Sequence, residues 1–584
     1  MNSKKHCSLA VLFFFLLCFL TGCNHVIIAE HSQTPNSKFD EFVNQIFIDE
    51  VQTDGLTLNY TLSKPENYGI YNYKPSLGDF SLEHMKSELA VTENYLATLS
   101  GFDYTSLTKE QQITYDILKK YLAKDMESSD FLLYAETLGP TTGIQAQLPV
   151  LLAEYNYYDK EDIDNYLALL KDMPRYFKQI VTYEQEKSKA GLFMSDHTAD
   201  SIISQCKEFI SNKEDNLLIE VFHDRMNEVS ILSKKEQKKY EAKNKDYVLK
   251  YVIPAYQILI DGLNSLKGTG KVDGGLAGYP KGKDYYSYLV ATSTSSSRSI
   301  NEINKTLDYA ISDSIKRMSE ATEGDVTVLD KADNTSFPLT NPEDIIQSLK
   351  TSIKKDYPPL NDVSCTIKYV HKSLEDNLSP AFYLTPPLDD CSRNSIYING
   401  SAKYNLDNIF TTLAHEGYPG HLYQTVYFNQ QSPQPIRSLL SFGGYSEGWA
   451  TYAEMNSYYM SGLDTKIAKV LQNNQVASLC MYAKIDLGVN YLNWDLNDTA
   501  DYLKDFGITD KKTIETVYYT MIEEPANYMQ YSLGYLEIMA LRDRASKELG
   551  DNFKLKNFHT FFLKMGSAQF DVIRKYMDEW ISEQ

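Results

Sequence analysis

Asn405-Leu406-Asp407-Asn408-Ile409-Phe410-Thr411-Thr412-Leu413-Ala414-His415-Glu416-Gly417-Tyr418-Pro419-Gly420-His421 is the stretch on which the reading of this chain turns. Leu406, Ile409, Phe410 and Leu413 form an apolar helical stripe, with Asn405 expected as its N-cap. His415 lies about 200° round from Leu413, on the side of Asn408 and Thr411. One face therefore packs on a core while the other presents an imidazole with a carboxylate next to it. Zinc peptidases need that combination: neutral imidazoles to hold the metal, and a Glu to take a proton from the water the metal activates. The common form is His-Glu-x-x-His, with both rings one turn apart. Here the histidines are six residues apart. On an unbroken helix that is ~600°, ~240° net, which puts the rings on different faces. Pro419 and Gly420 supply a way out, because Pro disfavours a helical residue before it and Gly permits unusual dihedrals. A break there returns His421 to the side of His415. By spacing alone the pair reads equally as metal ligands or as two satisfied histidines near a helix end.

A third ligand type follows in Ser446-Glu447-Gly448-Trp449-Ala450-Thr451-Tyr452-Ala453-Glu454, which begins 25 residues past His421. This run is mostly apolar or small yet carries two carboxylates. Glu447 and Glu454 are seven apart and share one helix face within ~20°. Buried carboxylates want a metal or another cation; the alternative is that both face solvent. Two His and one Glu with an open fourth position is a catalytic zinc arrangement. The expected ligand set is His415, His421 and Glu447 around one Zn2+ per chain, with Glu454 supporting it and Glu416 as general base.

Outward from this segment, helical patterns dominate. Ile163, Tyr166, Leu167 and Leu170 follow helical spacing, with Asp162 expected as N-cap. Residues 234–250 read as a Lys-rich helix with a solvated face. Six glycines in 268–282 read as a loop, and Thr292 to Ser297 as the loop leading into a helix. Gly270-Lys271 does not make a phosphate loop, because Val272 follows and the glycine spacing upstream fails. The clearest strand is Ser395 to Asn399. The expected fold is mainly α, with a small β element just ahead of the His415 segment.

The 584 residues exceed one simple domain. Two lobes are expected, about 39–270 and 271–584. Hydrophobic residues at 43% and charged residues at 23% allow a sizeable core. A net charge of −21 argues against nucleic acid as a partner. At the start, Lys4 and Lys5 precede an apolar run from Leu9 to Leu20, too short to span a bilayer comfortably but suited to a signal peptide. Leu20-Thr21-Gly22-Cys23 resembles a bacterial lipobox. The resemblance implies cleavage after residue 22, lipidation of Cys23, and a chain tethered to the outer face of a membrane. A plain secretory signal is the alternative. Residues 23–38 then read as a polar tether. Of the cysteines beyond Cys23, Cys206, Cys365, Cys391 and Cys480 are scattered without a CxxC. Cys365 with Cys391 is the pair best placed for a bridge, and four free thiols is the plainer state.

The strings His415-Glu-Gly-Tyr-Pro-Gly-His421 and Glu447-Gly-Trp-Ala450, and Tyr531-Ser-Leu-Gly534 leading to Arg542, together resemble the bacterial domain of unknown function family 885. The likeness runs from about residue 40 to the C-terminus and includes Leu249 to Tyr256 and Pro380 to Asn399. That family is grouped with zincin-type peptidases. It implies a largely helical fold with a deep cleft, as in angiotensin-converting enzyme, and it shares the departure from His-Glu-x-x-His. Tyr528, Tyr531, Tyr535, Ile538 and Arg542 fit the picture. A phenol near zinc donates to an oxyanion, and an Arg pairs with a peptide's carboxylate. A plain core stripe is the alternative in a chain with 45 tyrosines. Ile396 to Asn399 is expected as an edge strand pairing with an extended peptide through Tyr397 and Asn399, or else as a structural hairpin.

A rival reading uses Gly444-Tyr445-Ser446-Glu447-Gly448, which matches the nucleophile elbow Gly-x-Ser-x-Gly, with Ser446 as nucleophile and His559 downstream. The strand that motif needs and the alternating βαβ pattern are both missing. A third reading is a lipoprotein that binds a ligand in the same cleft without catalysis.

Overall fold

The computed structural model describes residues 35–584 apart from 362, 373, 374, 376 and 377. The expected signal peptide, Cys23 and most of the expected tether lie outside the described residues. The first helix runs Pro35–Val51, so the last four residues assigned to the tether are helical. Phe39, Val43, Ile46 and Phe47 recur at helical spacing and are all buried, which pulls that end of the chain onto the core.

Helix follows helix along the chain, with one small sheet between them. The longest helix, Lys160–Ala190, buries Ile163, Tyr166, Leu167, Leu170, Met173 and Phe177 along one stripe. Its N-cap is Asp159, not Asp162. Asp162 sits three residues on and closes a capping box by accepting the Asp159 N–H. The Lys-rich helix Lys234–Tyr247 buries only Gln237, Tyr240 and Asn244 and keeps its basic side in solvent. The Ser/Thr run is both an exit and a lead-in. Thr292 to Thr294 close the helix Gly282–Thr294, and Ser299 caps the helix Ile300–Thr322.

Leu77, Phe80, Met85 and the buried apolar side chains from Leu138 to Leu266 pack into one apolar core, joined by Val370 and Tyr397. A larger core gathers the first helices and nearly all buried apolar residues beyond Leu276. The sheet holds strands β1 (Ser364–Tyr369), β2 (Ala381–Leu384) and β3 (Arg393–Ile398) in the order β1-β3-β2. β1 runs parallel to β3, with Cys365 opposite Asn394, and β2 antiparallel, with Tyr383 opposite Ile396. β3 is thus the central strand, which corrects the expectation of an edge. The sequence shows which residues form a strand, but only the pairing shows which edge stays open. All four described cysteines are free, Cys206 and Cys480 buried. Among the described residues, no helix is long and apolar enough to cross a membrane.

Candidate metal centre

The helix carrying His415 begins at Phe410, later than expected, after a short 3-10 turn at Leu406–Asn408. Asn405 therefore does not cap it; its carbonyl accepts the Asn408 N–H within the turn. The helix ends at Glu416, and a new helix starts at His421 and runs to Asn429. The break falls where Pro419 and Gly420 suggested. The Gly420 N–H reaches back to the Ala414 carbonyl at 3.0 Å, and a Cβ on Gly420 would lie 1.7 Å from the His415 carbonyl oxygen. Only glycine allows the chain to double back so tightly. Trp449 Nε1 donates to the Pro419 carbonyl at 2.8 Å and fixes the break against the helix Gly443–Ser457, which carries Glu447 and Glu454.

The break brings the imidazoles together, with ring centres 4.9 Å apart. Glu447 Oε2 lies 3.5 Å from His415 Nε2 and 3.5 Å from His421 Nε2. One ligand atom from each of the three residues falls within 4.8 Å of the others. His415 and His421 are buried and Glu447 largely so. His421 Nε2 and Glu447 Oε2 have no hydrogen-bond partner. The far nitrogens are engaged instead. His415 Nδ1 meets Glu454 Oε2 at 3.2 Å, and His421 Nδ1 faces Ser446 Oγ at 3.5 Å. Gln475 Nε2 donates to the other oxygen of Glu454 at 3.4 Å. Those contacts orient both rings with Nε2 toward one shared point, as outer partners do around bound metals.

The electrostatics ask for positive charge at that point. Burial alone would push the His415 imidazole down, but Glu447 and Glu454 beside it raise it well above the usual histidine range. Burial would raise Glu447, yet His421 and His415 hold it down at about 2. Glu416 is 1% exposed, and burial raises its carboxyl against the pull of His415 and His421. Its Oε2 accepts the Tyr383 backbone N–H at 2.9 Å. That donor lies on the open edge of β2, because the Asn399 N–H to Pro380 bond turns Phe382 and Leu384 toward β3 and Tyr383 outward.

Tyr531, on the helix Asn527–Leu549, has its ring stacked 6.3 Å from that of His415. The contact depends on a helix crossing at backbone distance: a Cβ on Gly448 would lie 2.4 Å from the Gly534 carbonyl carbon. Tyr528 is buried on the same helix, against Tyr482 at 5.2 Å.

Other expected site residues lie elsewhere. Arg542 is eleven residues past Tyr531, about 16 Å along the helix. It pairs with Asp543 at 3.0 Å and covers the Tyr452 ring. Tyr397 donates to Glu154 at 2.9 Å and stacks flat on Phe382. Asn399 is fully buried, and its side chain ties down the Glu375 and Leu378 carbonyls. Both serve the sheet, since β3 has neighbours on each side. Ser446 lies inside a helix with no strand before it. His559 spends Nε2 on the Tyr452 hydroxyl at 2.9 Å and Nδ1 on the Asp356 carbonyl at 2.6 Å. No catalytic pair of Ser446 and His559 forms. Sequence reasoning missed the Tyr383 N–H, Gln475, and Trp449 as the clamp on the break. Trp449 alone left a signal, as the one large aromatic within Glu447-Gly-Trp-Ala450.

The family described as bacterial protein of unknown function (DUF885) matches residues 65–577. This chain belongs to that family. No curated protein matches it in sequence. Among solved structures, the DUF885 chain is similar to a presumed lipoprotein from Colwellia psychrerythraea. That match has a TM-score of 0.82 and 18% identity, covering 94% of this chain and 100% of that one. It is also similar to a presumed lipoprotein of unknown function from Shewanella oneidensis, with a TM-score of 0.65 and 17% identity, covering 92% and 99%. At these identities the likeness concerns the fold.

Proposed function

We propose that this DUF885 protein is a zincin-like, zinc-dependent peptidase, tethered outside the cell membrane by lipid on Cys23. The observation that carries the metal is the buried pair of partnerless atoms, His421 Nε2 and Glu447 Oε2, facing His415 Nε2. Ligand atoms ~2.0–2.2 Å from a tetrahedral metal stand roughly 3.4 Å apart. The two 3.5 Å separations fit that edge. Two imidazoles and a carboxylate are also the donor set of a hydrolytic zinc site with an open position. A zinc ion held there would supply Lewis acidity and lower the pKa of a water.

The chain's own residues supply the rest. Glu416, with its carboxyl raised by burial, takes a proton from the attacking water and returns it to the leaving amine. The Tyr383 N–H holds that carboxylate in place. Tyr531, stacked beside His415, brings a phenol to the side where an oxyanion develops. β2 is an edge strand that runs past Glu416, and a substrate laid along it would have an extended backbone, as a peptide has, although the Tyr383 N–H is already given to Glu416. The tether rests on the lipobox at Cys23, and both similar structures are of presumed lipoproteins.

Metal analysis of the purified chain beside a His415→Ala, Glu447→Ala double variant tests the centre, and stoichiometric zinc in the double variant overturns it. Glu416→Gln tests the chemistry. Zinc is retained while hydrolysis of a peptide library falls roughly 10²-fold or more, the scale of a lost acid–base group. Near-normal turnover with zinc bound refutes the role. No hydrolysis by the zinc-loaded wild type favours a non-catalytic binding protein.

A further inference from the structure

A cavity of about 280 Å³ lies between the 53–60 segment, the 77–80 segment, the 135–151 region and the start of the Tyr531 helix. Phe80, Tyr176, Tyr285 and Leu289 give it apolar walls. Five carboxylates also line it, Asp54, Asp79, Glu136, Glu523 and Glu524, and among the described lining residues there is no Lys, Arg or His.

Three of the five are already engaged. Asp54 caps a helix through the Leu56 and Thr57 N–H groups. Asp79 accepts from the Ser81 N–H and Gln179. Glu136 pairs with buried Lys187 at 2.7 Å. Glu524 is 4% exposed; its Oε2 accepts from Asn527 Nδ2 at 2.9 Å, and burial raises its carboxyl while the Thr141 side chain also holds it down. Its Oε1 is buried without a hydrogen-bond partner. Glu523 stands next to it, its carboxyl pushed up to about 7 by burial and by Glu524.

Two adjacent acids crowded into an apolar cavity without a counter-charge either keep a proton or pair with a cation, and a cation entering the cavity would let both ionise. The turn that carries them is held firmly. Ala526, fully buried, keeps a left-handed φ of 66°, and its N–H donates to buried Asp486 at 2.9 Å. Asn490 donates to both Asp486 and the Met521 carbonyl. Strain of this kind persists only where its surroundings enforce it.

We infer that this cavity is a subsite for a cationic group with an apolar stem, an ammonium or guanidinium that pairs with Glu523 and Glu524. The inference rests on the peptidase reading for its link to the metal centre. Asn527, which lines the cavity, and Tyr531, which flanks His415, are one turn apart on one helix, about 6 Å along its axis. Gln530, also on the wall, packs against Gly443 at the start of the Glu447 helix. The substrate class is then a peptide with a positive charge close to the scissile bond, either its free amino terminus or a basic side chain.

Calorimetric titration of the purified full chain reads binding without turnover, so its outcome is separate from that of the peptidase assay. Phenylalaninamide against N-acetyl-phenylalaninamide probes the amino terminus; n-butylamine against n-butanol probes a basic side chain. At least one cationic probe is expected to bind about tenfold or more tightly than its neutral counterpart, the scale of a charged hydrogen bond. Which pair shows the preference identifies the source of the cation. In Glu523→Gln, Glu524→Gln the preference should vanish. If that variant does not fold, the less buried Glu523→Gln alone should weaken it. Equal binding of cation and neutral probe, no binding of either, or a preference that survives the substitutions overturns the inference.

Discussion

Replacing Gly420 by Ala adds one methyl group at the point on which the proposed metal centre depends. The new Cβ would lie 1.7 Å from the His415 carbonyl oxygen and 2.5 Å from that of Ala414. Both are backbone atoms at the end of a helix, so no side chain can rotate away. Relief requires the chain to move by more than an ångström, which separates His421 from His415 or breaks the Gly420 N–H to Ala414 bond. Overpacking of this kind costs about 1–3 kcal/mol, and more where backbone must shift. The melting temperature should therefore fall by a few degrees. The effect on metal should be larger. The two Nε2 atoms converge only while the chain doubles back here, and loss of one ligand exceeds the 10–100-fold penalty for losing an outer partner, so zinc affinity should fall roughly 100-fold or more. The assay is competitive zinc titration with a chromophoric chelator, beside a thermal melt with and without zinc. A Gly420→Ala chain with wild-type zinc affinity would refute the argument that the break builds the centre, whatever its melting temperature.

Glu454→Gln keeps an oxygen near His415 Nδ1 but removes its charge; zinc affinity should drop about 10–100-fold with the ligand set intact, and an unchanged affinity would deny Glu454 its orienting role. His559 gives a pH test. Burial pushes its imidazole down to about 3, against ~6.5 in an unfolded chain, so the unfolded state binds more protons in that window. Stability from this site is complete above pH ~6.5 and drains as the pH falls toward 3, by ~2 kcal/mol at pH 5. His559→Gln, less stable at neutral pH, should show a flatter decline in melting temperature between pH 7 and 5, and a slope equal to wild type would contradict the assignment. Cys23→Ser should block lipidation and leave the chain unprocessed or soluble, and a variant still acylated and membrane-bound would remove the lipobox reading.

The strings around His415, Glu447 and Tyr531 were legible because the residues proposed to carry the chemistry sit within short segments, where helical spacing assigns each a face. The break was legible for the same reason: Pro419 and Gly420 act on their own backbone and need no distant partner. Helical class followed from periodicity in the same way, although the starts of individual helices slipped. Asp162 and Asn405 looked like caps, yet Asp159 and a 3-10 turn took those places, because several polar residues near a helix end compete for the same N–H groups.

What the sequence by itself determined, then, is the helical class, the donor types and the point where the chain must bend. Only the tertiary structure decided that Glu447 faces both imidazoles and that Glu454 backs His415. It also decided that the Tyr383 N–H holds Glu416, while Arg542, Tyr397 and Asn399 face other neighbours. It made β3 the centre of the sheet, which no property of the strand's own residues could reveal. The physical reason is range. Dihedral preference and helical phase act over a few residues, whereas these meetings depend on close approaches between distant segments, such as Gly448 against Gly534, that come from the packing of the whole core.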